Sequence, residues 1–300
     1  MIKSIVFGAN GYIGRHLVYY LNQQNQTVIS SDVSQKPIDQ PTDTNYKSIN
    51  ITHLNEVSML DFDVDYIYCF GGLTGTNVGF DKYQDFIEVN EIGLLNILTH
   101  HKNSNSKARI VFPSTRLVYK GQKDIFLTEE APKEALTIYA QNKLSCEEYL
   151  NQYAINFNID YTVFRICVPY GNVFDENFSY GTVGFFYNKA KNNENITLFG
   201  KGELRRTFTH IEDICFSIFE TLKTPSSKNT VFNIGSNDNL SLLDVATLFA
   251  TKFNISVDFT QWPEQALKVE SGDTIFDDTK LRNTINYTYK NSISNWIENL

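Results

Sequence analysis

Tyr139 and Lys143 lie four residues apart in a segment, Ile138–Tyr153, that reads as a long helix, so their side chains share one face. An ammonium beside a phenol favours the phenolate and draws its pKa from about 10 toward neutrality. A tyrosine tuned this way exchanges a proton with a substrate hydroxyl while hydride moves to or from the same carbon. Tyr-x-x-x-Lys alone is common by chance. Its company here is Pro113-Ser114-Thr115-Arg116-Leu117-Val118-Tyr119, directly after a strand predicted at Arg109–Phe112. That puts the Thr115 hydroxyl at a strand end, where open parallel sheets bind ligands.

A second constellation stands near the N-terminus, in Gly8-Ala9-Asn10-Gly11-Tyr12-Ile13-Gly14. Gly8 permits a tight turn, Gly11 lets the backbone approach a pyrophosphate, and Gly14 lets the next helix pack close to the strand. The helix N-terminus then offers free N–H groups to the anion. Asp32 ends the second predicted strand, at the distance where a carboxylate accepts from both adenosine ribose hydroxyls and repels a 2′-phosphate. No arginine follows closely, Lys36 being the nearest base, so the pattern predicts NAD(H) over NADP(H). The plainer alternatives are a glycine turn without nucleotide and a solvated turn aspartate.

These groups need alternating strands and helices to hold them. Ser4–Phe7, Thr27–Ser31, Tyr66–Phe70, Arg109–Phe112 and Tyr161–Cys167 read as strands; Ile13–Gln23, Tyr83–His100 and Ile138–Tyr153 read as helices. Residues 34–45, with Pro37 and Pro41, read as a polar loop. This rhythm predicts an α/β chain with a Rossmann-type, doubly wound parallel sheet. After Val168 the rhythm breaks. Helices are predicted near Gly184–Lys191, Ile211–Leu222 and Leu242–Phe253, the last capped by Ser241, and Val231–Ile234 returns as a strand. The predicted division is a dinucleotide-binding part at 1–168, rejoined by 208–235. A smaller C-terminal α/β substrate lobe comprises 169–207 and 236–300, with the ligand between the two.

Composition sets outer bounds. Hydrophobic residues make up 42% of the 300, ordinary for a globular chain. No apolar run approaches the roughly 18–20 residues that span a bilayer, and no signal-peptide pattern opens the chain; both point to the cytoplasm. A net charge of −8 disfavours nucleic acid but allows a small anion held by a few arginines. Cys69, Cys146, Cys167 and Cys215 form no C-x-x-C pair and read as buried, reduced thiols. His16, His53, His100, His101 and His210 share no metal-ligand spacing with them, so no metal is expected. Apolar residues on more than one face of the two long helices, among them Phe86, Val89, Leu94, Leu98, Leu144, Tyr149 and Leu150, predict a homodimer.

Over nearly its whole length the chain resembles the extended short-chain dehydrogenase/reductase family of nucleotide-sugar epimerases, dehydratases and reductases. Gly8-x-x-Gly11-x-x-Gly14, Thr115-x-x-Val118-Tyr119, Tyr139-x-x-x-Lys143 and Asn90-x-x-Gly93-x-x-Asn96 match its motifs, and Arg206-Thr207-Phe208-Thr209-His210-Ile211-Glu212-Asp213 is similar to another. The resemblance implies Thr115, Tyr139 and Lys143 as catalytic residues. It implies Gly8, Asn10, Gly11, Tyr12, Ile13, Gly14, Asp32, Asn50, Ile51, Phe70, Gly71, Gly72, Asn90 and Ser114, besides Tyr139 and Lys143, around NAD. For a nucleotide-diphosphate sugar it implies Thr74, Arg116, Val168, Thr182, Thr197, Phe199 and Arg206, with Arg206 on the diphosphate. Polysaccharide biosynthesis and a dimer through the two long helices are further implications.

Three departures bear on the reaction. Cys69-Phe70-Gly71-Gly72 replaces the family's His-Leu-Ala-Ala and suggests a roomier or differently shaped approach to the cofactor. Val168 replaces an asparagine that contacts the substrate. Arg116-Leu117 stands where the 4,6-dehydratases carry Asp-Glu, so water elimination is not expected. The leading reading is a C4 epimerase. The alternatives are a reductase of a nucleotide-linked 4-keto-6-deoxyhexose and, from a different class, a non-catalytic dinucleotide sensor, which would not need the tyrosine–lysine pair.

Overall fold

The computed structural model describes residues 2–39, 45–174 and 180–300. Its centre is a seven-stranded sheet, all parallel, in the order Thr230–Ile234, Tyr161–Ile166, Arg109–Thr115, Tyr66–Cys69, Lys3–Phe7, Thr27–Asp32, Asn45–Ser48. A parallel sheet is covered on both faces, and its central strands are accordingly buried on both. Along Lys3–Phe7, Ile5 and Phe7 enter one core with Ile110, Leu98 and Leu150. Val6, between them, enters the other core with Phe164, Phe208 and Phe249. That second core runs without a break from the sheet into the C-terminal third.

The chain order turns back at Lys3–Phe7: strands are added on one side of it, then on the other from Tyr66–Cys69 onward. The connections leave opposite ways there and open a crevice at the carboxyl ends of these two strands. Gly8 and Phe70 sit at its two lips.

Around residue 208 the chain divides less simply than its pattern predicts. Helix Ile211–Leu222 packs on helix Tyr12–Gln23, and Thr230–Ile234 closes the large sheet. Strand Arg205–His210, however, belongs to a separate three-stranded sheet with Val168–Tyr170 and Asp238–Ser241. Strands Ile196–Phe199 and Val257–Thr260 form a further parallel pair, and so do Phe126–Leu127 and Ile275–Phe276. Helix Leu242–Phe253 starts at the predicted cap: Ser241 accepts from the Asp244 N–H while the Asp244 carboxylate accepts from the Ser241 N–H. The predicted polar loop lies partly, at 40–44, outside the described residues. None of the described helices is long and apolar enough to cross a membrane.

Candidate active site

Gly8 has φ +76°, and a Cβ there would lie 2.3 Å from the Gly71 nitrogen, so the two crevice lips meet backbone to backbone. A Cβ on Gly14 would lie 2.0 Å from the Gly8 oxygen. Gly11 is looser, its nearest neighbour 3.2 Å away. Gly8 and Gly14 thus build the turn, and all three glycines border the crevice. One cavity there, of about 470 Å³, is lined by Gly8, Gly11, Asp32, Asn50, Ile51, Phe70, Gly71 and Gly72. A second, of about 270 Å³, is lined by Gly11, Tyr12, Ile13, Gly14, Phe70, Gly72, Thr74, Ser114, Thr115, Tyr139 and Lys143. They share Gly11, Phe70, Gly72 and Leu73. Two joined cavities with a glycine turn at the junction and a carboxylate in the first fit a dinucleotide.

Asn10 and Asn90 serve this crevice from behind instead of lining it. The Asn10 side chain donates to the Lys36 carbonyl and accepts from the Ile38 N–H, while its own N–H donates to Asp32. It therefore braces the segment after the second strand. Asn90 accepts from the Leu73 N–H at 2.7 Å and donates to the Leu73 carbonyl at 3.1 Å. It sits on a π turn, Glu88–Ile92, inside the long helix that the sequence predicts as regular. A Cβ on Gly72 would lie 2.9 Å from the Asn90 Oδ1. The glycine at 72 thus serves close approach to Asn90, in keeping with a differently shaped crevice rather than a roomier one.

Thr115 ends a wholly buried strand, and Thr137 caps the helix that carries the tyrosine and lysine, accepting from the Ala140 N–H. Burial, then the Tyr180 phenol, push the Tyr139 pKa well above the usual value, against a smaller lowering influence of the neighbouring Thr115 hydroxyl. Lys143 does not offset this. Its Nζ donates to the Pro113 carbonyl at 2.8 Å and lies 5.8 Å from the Tyr139 ring centre. Burial pulls the Lys143 pKa down to about 8. The lowered tyrosine pKa anticipated from the spacing is therefore not a property of the protein groups by themselves. Ser114, next to Thr115, donates to Glu147 at 2.5 Å.

A third cavity, of about 240 Å³, opens from the second and shares Thr74, Thr115, Tyr139, Cys167, Pro169 and Tyr180 with it. It adds Arg116, Val168 and Thr182. Four predicted substrate residues, Thr74, Arg116, Val168 and Thr182, therefore meet beside Tyr139. Three do not. Arg206 is only 2% exposed and lines none of these cavities; its guanidinium donates to Glu270 at 2.6 Å and to the Arg205 and Gly272 carbonyls. Thr197 and Phe199 lie on the exposed face of their strand, with Phe199 against Trp262. Sequence reasoning missed Tyr180 and Cys167. Tyr180 stacks on Tyr12 with ring centres 4.3 Å apart. No motif marks it, though an aromatic in a glycine- and asparagine-rich segment is a weak signal. Among the described residues, no three His, Cys, Asp or Glu side chains are grouped to hold a metal.

This is the fold and site of a dinucleotide-dependent oxidoreductive enzyme. The sequence model of the NAD dependent epimerase/dehydratase family matches residues 4–235, and the chain belongs to that family, as an NAD-dependent member of the extended short-chain dehydrogenases. The CDP-paratose 2-epimerase of Salmonella typhi is 26% identical, with 100% of this chain and 98% of that protein covered. Two solved structures share the fold. The UDP-glucose 4-epimerase of Thermotoga maritima with UDP-glucose has a TM-score of 0.88 at 20% identity, covering 99% of this chain and 96% of that one. The Thermus thermophilus UDP-glucose 4-epimerase with NAD has 0.87 at 18%, covering 99% and 97%.

Proposed function

We propose that the protein is a nucleotide-sugar C4 epimerase. The observation that carries this reading is the third cavity. Its described lining brings Tyr139 and Thr115 to the end of the dinucleotide crevice and contains no Asp, Glu or His. A single proton-transfer group suits oxidation and reduction at one carbinol carbon; elimination needs a further acid and base. When bound, NAD supplies the hydride acceptor and donor. Tyr139 takes the C4 hydroxyl proton and returns it, Thr115 orients that hydroxyl, and Lys143 offers a charged donor beside the cofactor ribose. Gly8, Gly11 and Gly14 hold the pyrophosphate, and Asp32 accepts from the ribose and turns away a 2′-phosphate.

The test is turnover of UDP-, dTDP- and CDP-hexoses with catalytic NAD, read as interconversion of C4 epimers by NMR. The expected result is epimerisation without net cofactor consumption, with NADH bound more tightly than NADPH. Stoichiometric NADH consumption on a 4-keto sugar nucleotide, without interconversion, would replace the epimerase with the reductase. The absence of both would leave the sensor.

The homodimer belongs to the same proposal, on altered grounds. Phe86, Leu94, Leu98 and Leu150, which suggested a second apolar face, are buried within the chain. The exposed apolar residues of the two helices are instead Tyr83, Ile87, Ile155 and Phe157. Light scattering at micromolar concentration should give twice 34.4 kDa, and Ile87→Glu with Ile155→Glu should halve it. A single-chain mass for the parent protein would remove the dimer.

A further inference from the structure

Arg206, the residue whose sequence context suggested a diphosphate contact, is already neutralised. It shares an ion pair with Glu270 and gives its other hydrogen bonds to main-chain carbonyls. Arg116 is in the opposite condition. It follows Thr115 directly, lines the third cavity beside Tyr139, and makes no ion pair among the described residues. Among the described residues its side chain makes two hydrogen bonds, both long, to the hydroxyls Ser271 Oγ at 3.3 Å and Thr274 Oγ1 at 3.4 Å. Burial, and after it the neighbouring Arg206 guanidinium, lower its pKa to about 10, with Glu270 a minor opposing influence. The group stays charged at neutral pH. Among the described residues, Arg116, Arg206 and Glu270 together leave one positive charge without a counter-ion, on the residue that lines the cavity.

A half-buried guanidinium with no ion-pair partner among the described residues, and with N–H groups to spare, presents a fork that matches a carboxylate or phosphate. We infer that Arg116, not Arg206, receives an anionic oxygen group of the substrate, with the Ser271 and Thr274 hydroxyls beside it. The group is either a carboxylate on the hexose or the diphosphate of the nucleotide. This inference rests on the nucleotide-sugar reading above and deepens it.

The experiment measures binding of UDP, dTDP-glucose, UDP-glucose and UDP-glucuronate to the NAD-loaded protein and to Arg116→Gln. Loss of a charge-assisted contact should weaken binding at least about thirtyfold. A loss shared by all four probes identifies the diphosphate. A loss confined to UDP-glucuronate identifies a sugar carboxylate. Either result supports the assignment. Arg116→Met serves as a second neutral variant should the glutamine fail to fold. Removing an unpaired cation next to another cation should leave the unliganded protein as stable as the parent or more so. Destabilisation with unchanged affinity would mark Arg116 as structural and overturn the inference. Unchanged affinity for all probes overturns it too, while leaving the epimerase reading intact if turnover persists. Failure of the parent protein to bind any of the four overturns both.

Discussion

Tyr139→Phe should lower turnover by about 10²- to 10⁴-fold, the usual contribution of a positioned proton-transfer group, and leave NADH affinity within about twofold. The phenylalanine keeps the half-buried ring beside Tyr180 and removes only the hydroxyl on the Thr115 side. Steady-state kinetics with a parallel NADH titration would check it; turnover within threefold of the parent value would remove Tyr139 from the proton path. The pH dependence follows from Lys143. Its folded pKa of about 8 lies below the ordinary lysine value of 10.5. The ammonium is therefore present below about pH 8 and lost as pH rises through it, and any support for the phenolate goes with it. Stability moves the other way. Between about pH 8 and 10.5 the unfolded chain holds a proton on this lysine that the folded chain has released, so this group's contribution to stability rises with pH across that window.

Arg165→Met should destabilise the protein by about 3–5 kcal/mol, because it strands a carboxylate in the core. Arg165 and Glu147 are 5% and 11% exposed, and Arg165 holds Glu147 through Nε and Nη2 while Nη1 reaches the Tyr119 hydroxyl and the Glu129 carbonyl, each at 2.8 Å. Burial opposes the charge on Arg165, but Glu147 more than compensates and holds its pKa above the ordinary value. Replacing both partners, Arg165→Met with Glu147→Leu, should recover much of the loss. Urea unfolding would measure each; a single-variant loss below about 1 kcal/mol would show that the pair is not a support. Glu147 also accepts from Ser114, so the single variant should depress turnover through Thr115, even where the protein is fully folded.

What the sequence revealed and what it hid follow from range. The glycine turn, Asp32, Thr115 and the Tyr139–Lys143 pair declare themselves because each depends on neighbours within one turn or strand. The buried strands Arg109–Thr115 and Tyr161–Ile166 declare themselves by short apolar cores, residues 110–112 and 163–164, bounded by polar residues or proline. Asn45–Ser48 and Asp238–Ser241 did not, since each is short and largely exposed or half-buried and is made a strand only by a distant partner. Arg206 misled for the same reason: its fate is set by Glu270, 64 residues away. The π turn was equally hidden, because a widened turn and a regular one carry the same apolar pattern.

That π turn has a consequence for insertion and deletion. A π turn holds one residue more than the α-helical turn it replaces, so removing a single residue from Glu88–Ile92 would relax the helix to regular geometry at little local cost. Everything on the N-terminal side, including Phe86, would then rotate by about 100° relative to Gly93 and the rest of the helix. The two-point clasp on Leu73 could not survive that rotation, although no residue of the crevice itself had been touched. A lineage that lost this one residue would keep its helix, its core and its glycine turn, and would lose the brace on the Leu73 wall of the crevice.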